Sequence, residues 1–281
     1  MLNVDPSKPI WLDTQQQPSA AKHDIRIMVA TPVHSEVSIH YTQSLLKFQI
    51  DCYNKNIHVA FTLLKSSLVT QGRNMCVASF LNAPDNYTHL LFIDSDIAFK
   101  SESIFKMLHL DKEVCAIPYP LKDLNWQKIY ERFKEGKIGD HHILSRSGYQ
   151  FPVKADKKES LKIEKGLLEV SHAPTGCMLI KREAINKMIQ GYSDLKIKQP
   201  TVVNGVAQDQ DNMWNFFDTW YDQENHKYYG EDFAFCQKWR NIGGKCYVLV
   251  TEELAHMGEF PYTASFLDEI MHLKKLTVEE K

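Results

Sequence analysis

The segment His89-Leu-Leu-Phe-Ile-Asp-Ser-Asp-Ile-Ala-Phe99 constrains this chain more than any other. Apolar residues run unbroken from Leu90 to Ile93 and then stop at two carboxylates, Asp94 and Asp96. A short run with no polar face reads as a strand buried on both sides, as in a parallel sheet covered by helices. The carboxylates then fall at its C-terminal end, where open α/β sheets hold their ligands. An Asp-x-Asp pair there suits a hard divalent cation whose other ligands are phosphate oxygens. The plainer account is a pair of capping or loop aspartates.

The flanking pattern supports that strand. Ile25 to Ala30 read as a first strand and Thr31-Pro32-Val33 as the loop after it. Ser38–Asn54, Arg73–Asn82 and Glu102–Leu110 carry helical periodicity, with His58–Leu64 and Val114–Ile117 as strands between and after them. Pro118 and Pro120 close the last of these. Strands alternating with helices predict an α/β fold, one mostly parallel central sheet flanked by helices. Further on, a helix is expected near Asn125–Lys134, strands at Leu167–Ser171 and Cys177–Ile180, a helix at Arg182–Gln190, another at Glu231–Asn241 and a last strand at Lys245–Val250. Residues 191–229 are polar and aromatic and read as one long loop, part of it a lid over a ligand. No linker divides the chain, so residues 24–260 are expected to be a single domain. Residues 1–23 would be an N-terminal arm and 261–281 a C-terminal tail.

Charge and cysteine usage exclude several classes. The net charge is −2 and no long run of one sign occurs. A nucleic-acid partner, which needs a basic surface, is therefore not expected. None of the six cysteines has the CxxC spacing of a zinc or redox site, and most lie in apolar stretches. That favours a reducing compartment. No stretch approaches the roughly 18 apolar residues of a membrane span. A cytoplasmic protein with no membrane span is the expectation.

Four more segments carry candidate chemistry. Thr31 and Pro32 follow the first strand, where backbone groups hold a base or ribose. Gly72-Arg73-Asn74 reads as the opening of a helix, where a guanidinium suits a diphosphate or base. Arg73 is equally readable as a solvated helix residue. Gly230-Glu231-Asp232 starts another helix; its carboxylates either favour the helix dipole or deprotonate an acceptor hydroxyl. The helix N-terminus is expected to lower the pKa of that base. Ala255-His256-Met257-Gly258 follows the last strand, and His256 either is structural or completes a metal site. His141 and His142 read as surface residues.

The order of these pieces resembles the GT-A glycosyltransferases: Thr-Pro after a strand, Gly-Arg-Asn, Phe-Ile-Asp-Ser-Asp, Pro-Thr-Gly-Cys-Met-Leu-Ile, Gly-Glu-Asp-Phe-Ala-Phe-Cys, then His-x-Gly. The chain is most similar to the family-2-like enzymes of bacteria and large viruses, including the algal-virus glycosyltransferases that build capsid glycans. The resemblance covers about residues 24–260. It implies a GT-A (Rossmann-like) fold, with 24–118 as the nucleotide-binding half and 119–260 as the acceptor half. It implies a hexosyltransferase that moves a sugar from a nucleotide-diphosphate donor, a UDP-sugar, to a hydroxyl of a glycan or other acceptor. The metal, Mn2+ or Mg2+, would be held by Asp96 and His256, with Asp94 beside them on the ribose or donor sugar. Thr31, Pro32, Arg73, Asn74 and Ser95 would line the nucleotide pocket, and Thr175 and Gly176 would floor the sugar site. Asp232, with Glu231 as its rival, would be the base of an inverting reaction. Two other readings stand beside it: a catalytically silent glycan- or nucleotide-binding module of the same fold, and a phosphohydrolase with Asp94 as its nucleophile.

Overall fold

The computed structural model describes residues 25–259 apart from 85, 137–143, 145, 156–161, 199, 204–205 and 209–210. The expected arm at 1–23, the expected tail at 261–281, and His141 and His142 lie outside the described residues. In chain order the elements are β1 (Arg26–Val33), α1 (Ile39–Asn54), β2 (His58–Lys65), α2 (Val69–Asn82), β3 (His89–Ile93), β4 (Ile97–Ala98) and α3 (Ser101–Leu110). Then come β5 (Val114–Ala116), α4 (Trp126–Lys134), β6 (Ile163–Glu164), β7 (Leu167–Val170), β8 (Cys177–Lys181) and α5 (Arg182–Gly191). A short 3-10 turn (Ser193–Leu195), β9 (Thr201–Val203), β10 (Val206–Gln208), β11 (Trp220–Asp222), β12 (Lys227–Tyr229), α6 (Glu231–Asn241), β13 (Cys246–Leu249) and β14 (Ala255–His256) complete the chain.

Eight strands make one sheet, in the order β2-β1-β3-β8-β5-β13-β7-β6. β8 runs against β3 and β5, and β7 runs against β13 and β6; the other strands share one direction. The sheet is therefore mostly parallel, as expected. β8 also lies between β3 and β5, so the two halves of the chain interleave in one sheet.

The unbroken apolar runs are explained by cover on both faces. Leu90 and Phe92 of β3 join α2, α5 and α6 residues such as Phe80, Ile185 and Trp239 in one buried layer. Leu91 and Ile93 point the other way, to Phe48 of α1 and Ile104 of α3. Successive strand residues face opposite sides, so only a strand sandwiched by helices can be apolar throughout. All six cysteines are buried and free. No described helix is long and apolar enough to cross a membrane.

Three expectations are corrected. Thr31, Pro32 and Val33 belong to β1, paired with Leu63, Leu64 and Lys65 of β2. β3 pairs with β1 only as far as Ala30, so Pro32 lacks an N–H where no partner waits for one. α2 begins at Val69, so Arg73 and Asn74 lie inside it rather than at its start. Residues 191–229 are not one structureless loop. They hold two hairpins, β9–β10 and β11–β12, and a buried centre at Met213, Trp214, Phe216 and Phe217. Phe217 stacks on Phe235 at 4.5 Å and meets the edge of Phe92 at 5.3 Å. A lid, which must move, excludes that anchored centre.

Candidate active site

The candidate residues converge because of the strand directions. β1, β3 and β5 end at one edge of the sheet. β8 is reversed, so its beginning comes to the same edge, with Cys177 opposite Ile93. That register brings Thr175 and Gly176 beside Asp94, whose N–H donates to the Gly176 carbonyl at 3.0 Å. β14 pairs with β4, placing His256 opposite Ile97, one residue from Asp96. Ser95 is held by its backbone, its carbonyl accepting from Ser38 N–H at 2.8 Å.

Arg73 organises the buried side of the site. Its side chain is 3% exposed, which decides against the solvated reading. Nη2 donates to both Asp94 oxygens at 3.0 and 3.2 Å, and Nε donates to Glu231 Oε1 at 3.1 Å. The guanidinium also lies 5.4 Å from the centre of the Phe92 ring. One buried cation therefore fixes two carboxylates 137 residues apart in sequence, a geometry the planar fork of arginine suits. Tyr119 packs on the same network. Its phenol is held protonated to unusually high pH by burial first and then by the charge of Asp94. A Cβ on Gly176 would come within 2.4 Å of the Tyr119 ring, so only glycine lets that ring lie where it does.

Asp96 faces a wetter environment. Its Oδ2 accepts from Lys122 Nζ at 2.5 Å and stands 3.5 Å from His256 Nε2. Burial would raise the Asp96 carboxyl, but hydrogen bonds from His256 and Lys122 outweigh it and hold its pKa at about 2. His256 Nδ1 lies 2.9 Å from the Pro120 carbonyl. A carbonyl only accepts, so Nδ1 is the donor and Nε2 is aimed at Asp96. That is the arrangement of a metal-binding imidazole, with its second nitrogen tied to the backbone. Gly258 has a packing role: a Cβ there would sit 2.7 Å from Lys122 Cδ. Among the described residues, no three His, Cys, Asp or Glu side chains gather closely enough to hold a metal alone. The structure brings Asp96 and His256 together and turns Asp94 to Arg73.

The two carboxylates at the start of α6 differ sharply. Glu231 is tied to Arg73. Asp232 has no ion pair among the described residues, and its Oδ1 accepts from Phe233 N–H at 2.7 Å. Burial, reinforced by the charge of Glu231, raises its pKa to about 6. The expectation of a lowered value is corrected: desolvation and a like charge next door outweigh the helix N-terminus. Asp232 lines an open groove of about 370 Å³ with Pro152, Lys227, Tyr228, Gly230 and Phe233.

The remaining candidates have clear local roles. Thr31 is fully buried, and its hydroxyl shares a 2.5 Å hydrogen bond with Tyr41. Asn74 is 2% exposed. Its amide donates to Asn215 Oδ1 and the Phe217 carbonyl, and its oxygen accepts from Phe217 N–H. It pins the buried centre of 191–229 and has no polar atom spare for a ligand. Thr175 is 1% exposed. Lys122, Tyr119 and Tyr41 carry no sequence signature of their own. Lys122 and Tyr119 were findable only as residues leaving a strand that ends at the ligand-binding edge.

No model of a known protein family matches the sequence, and no curated protein matches it. Among solved structures, A197 from STIV is similar at 17% identity and a TM-score of 0.44, over 84% of this chain and 87% of that one. GalNAc-T7, in a crystal structure with UDP, GalNAc and Mn2+, is similar at 12% identity and a TM-score of 0.44, over 84% of this chain. A glycosyltransferase involved in the glycosylation of the major capsid of PBCV-1 is similar at 10% identity and a TM-score of 0.31, over 60% of this chain. The chain spans 44% of the second protein and 65% of the third. At TM-scores below 0.5 these likenesses assign nothing to this chain.

Proposed function

We propose that this chain is a metal-dependent glycosyltransferase of the GT-A, family-2-like kind. It would transfer a hexose from a nucleotide-diphosphate donor, a UDP-sugar, to an acceptor hydroxyl with inversion. One observation carries the reading: the Asp96–His256 pair and Asp232, a half-buried carboxylate with no ion pair among the described residues, lie at one end of the sheet, each close in the chain to the Asp94–Arg73–Glu231 bridge or paired beside it. Mn2+ or Mg2+ fits Asp96 and His256, since an oxygen and an imidazole nitrogen suit such ions and donor phosphates complete the set. When bound, the ion supplies Lewis-acid stabilisation of the leaving diphosphate.

The chain's own residues supply the rest. Arg73 holds Asp94 rigid, so that its carboxylate receives hydroxyls of the donor ribose or sugar in one geometry. Pro32 and Ser95 border the nucleotide end, with Thr31 buried on Tyr41 behind them, and Thr175 and Gly176 lie beneath the sugar. Asp232 takes the proton of the acceptor hydroxyl as that oxygen bonds to the anomeric carbon. The bond from that carbon to the diphosphate oxygen breaks on the opposite face, and the electron pair leaves with the diphosphate. A base with a pKa of about 6 is ionised at neutral pH yet basic enough to help. Glu231 is less suited, since its charge is already spent on Arg73.

A phosphohydrolase reading is disfavoured by the bond geometry. Arg73 donates to both oxygens of Asp94, which quenches the nucleophile such chemistry needs. A silent binding module would have no use for a raised Asp232.

Thermal shift with UDP, GDP and UDP-sugars, with and without Mn2+, tests the reading. A ligand at 100 times its dissociation constant should stabilise the fold by about 2.7 kcal/mol, and only with metal present. Undiminished transfer in excess EDTA would sink the metal role, and tighter binding of GDP than UDP would count against the donor. NMR of the product's anomeric centre decides inversion.

A further inference from the structure

The aromatic residues of 214–229 fall into two groups that the fold separates. Trp214, Phe216 and Phe217 are buried and belong to the core. Trp220, Tyr221 and Tyr228, on the β11–β12 hairpin, are 43%, 51% and 68% exposed. Exposed rings leave apolar surface in water, so their clustering on one hairpin points to a ligand. The hairpin ends at Gly230, directly before Glu231 and Asp232.

The hairpin is held in place from below. Tyr229 stacks on Trp220 at 5.0 Å and on His172 at 6.0 Å, with Lys154 Nζ 5.6 Å from its ring centre. In the turn, Asp222 accepts from the N–H groups of Glu224 and Asn225 and from the Asn225 amide. Tyr221 Oη shares a 3.0 Å hydrogen bond with His226 Nδ1. Tyr228, paired with Tyr221 across the strands, has no such ring partner in the described residues and lines the groove that contains Asp232. The groove volume, about 370 Å³, lies within the range of small-ligand sites, about 300–1,000 Å³.

Resting on the transferase reading above, we propose that this hairpin is the acceptor site and that the acceptor is a pyranose-containing glycan. The chemistry selects that class. A pyranose ring presents a flat C–H face, which stacks on Tyr228, and a rim of hydroxyls, which reach Lys227 and Asp232. A lipid chain would need a continuous apolar channel, whereas the charged Asp222, Glu224 and Lys227 interrupt this surface. Stacked on Tyr228, the terminal sugar turns one hydroxyl toward Asp232.

Saturation-transfer NMR on the full chain tests this with a panel of gluco-, galacto-, manno- and N-acetylglucosamine-configured oligosaccharides, without donor. Transfer to ring protons on one face of a terminal pyranose is expected. Tyr228→Ala should weaken binding about three- to tenfold, the worth of one aromatic contact, and Tyr228→Phe should retain it. The melting temperature and the UDP-induced shift should not move in either variant. No transfer from the wild-type chain to any member of the panel overturns the proposal, as does unchanged binding in Tyr228→Ala. Glycan binding that depends on Tyr228 in a chain that binds no nucleotide would support the platform and defeat the transferase reading instead.

Discussion

Asp94 and Asp96 sit two residues apart in one turn, yet they are held in opposite ways. Asp94 is bonded through both oxygens to an arginine that is 3% exposed and cannot leave without unpairing Glu231 as well. Asp96 is bonded to Lys122, whose side chain is 41% exposed on a flexible stem. The first pairing is architecture and the second is adjustable. The turn thus offers one carboxylate as a rigid fixture and keeps the other available to whatever cation outcompetes a lysine.

The sharpest way to break that contrast is to remove the arginine. Arg73→Met leaves the half-buried carboxylates of Asp94 and Glu231 without the buried counter-charge they share. Removing one partner of a buried pair costs about 3–5 kcal/mol. Urea unfolding should show that loss as a lower midpoint with an unchanged slope. A loss under about 1 kcal/mol would mean that Arg73 is no more structural than a surface residue.

The start of α6 repeats the contrast, with Glu231 pinned by Arg73 and Asp232 in no ion pair among the described residues. Asp232→Asn should lower turnover by at least about 10²-fold with donor binding little changed, the signature of a lost transition-state interaction. Turnover of the unaltered chain should fall as pH drops through about 6, because the base must be ionised and its pKa is raised there. Stability should run the other way. The folded chain binds this proton more tightly than the unfolded one, with a pKa of about 6 against 3.8. That contribution is fully present at pH below the unfolded value and is lost as pH rises through the folded one. At neutral pH the asparagine variant should therefore be the more stable by something on the order of 1–3 kcal/mol. A variant that is both inactive and less stable would place Asp232 among the structural carboxylates.

The same contrast separates what the sequence made legible from what it did not. β3 and its carboxylates were readable because an unbroken apolar run followed by Asp-Ser-Asp has few other folded forms. The helices were readable from periodicity, and the structure adds their caps, such as Ser38 and Asn125, whose side chains accept from Tyr41 N–H and Lys128 N–H. Long-range pairings were not. Lys122 reaches Asp96 only because the exit from β5 meets the β4–β14 pair. The resemblance implied a pocket role for Asn74 in Gly-Arg-Asn, but its amide faces the Phe217 backbone. The raised pKa of Asp232 was hidden for the same reason. A helix start is visible in sequence, whereas burial at that start depends on what the rest of the chain packs around it. Residues 191–229 looked like one loop because their strands are short and the ring of Phe217 finds its partners on β3 and α6.

The smallest expected effect tests the adjustable half of the comparison. Lys122→Met keeps the apolar stem that lies against Gly258 and removes only the ammonium. The pair is partly exposed on both sides, at 41% and 33%, so solvent screens it and the stability change should stay below about 1 kcal/mol. The carboxylate loses one of the two partners that keep its pKa low, but it keeps His256. If Lys122 holds the place that a divalent ion takes, its removal should tighten Mn2+ binding, because no ammonium then has to be displaced. An exposed pair worth up to about 1 kcal/mol sets the gain at no more than about fivefold. Titration of the free Mn2+ electron-spin signal measures this without turnover. Weaker or unchanged Mn2+ binding, with the fold intact, would mean that Lys122 does not compete for Asp96, and the two carboxylates would then differ in burial alone.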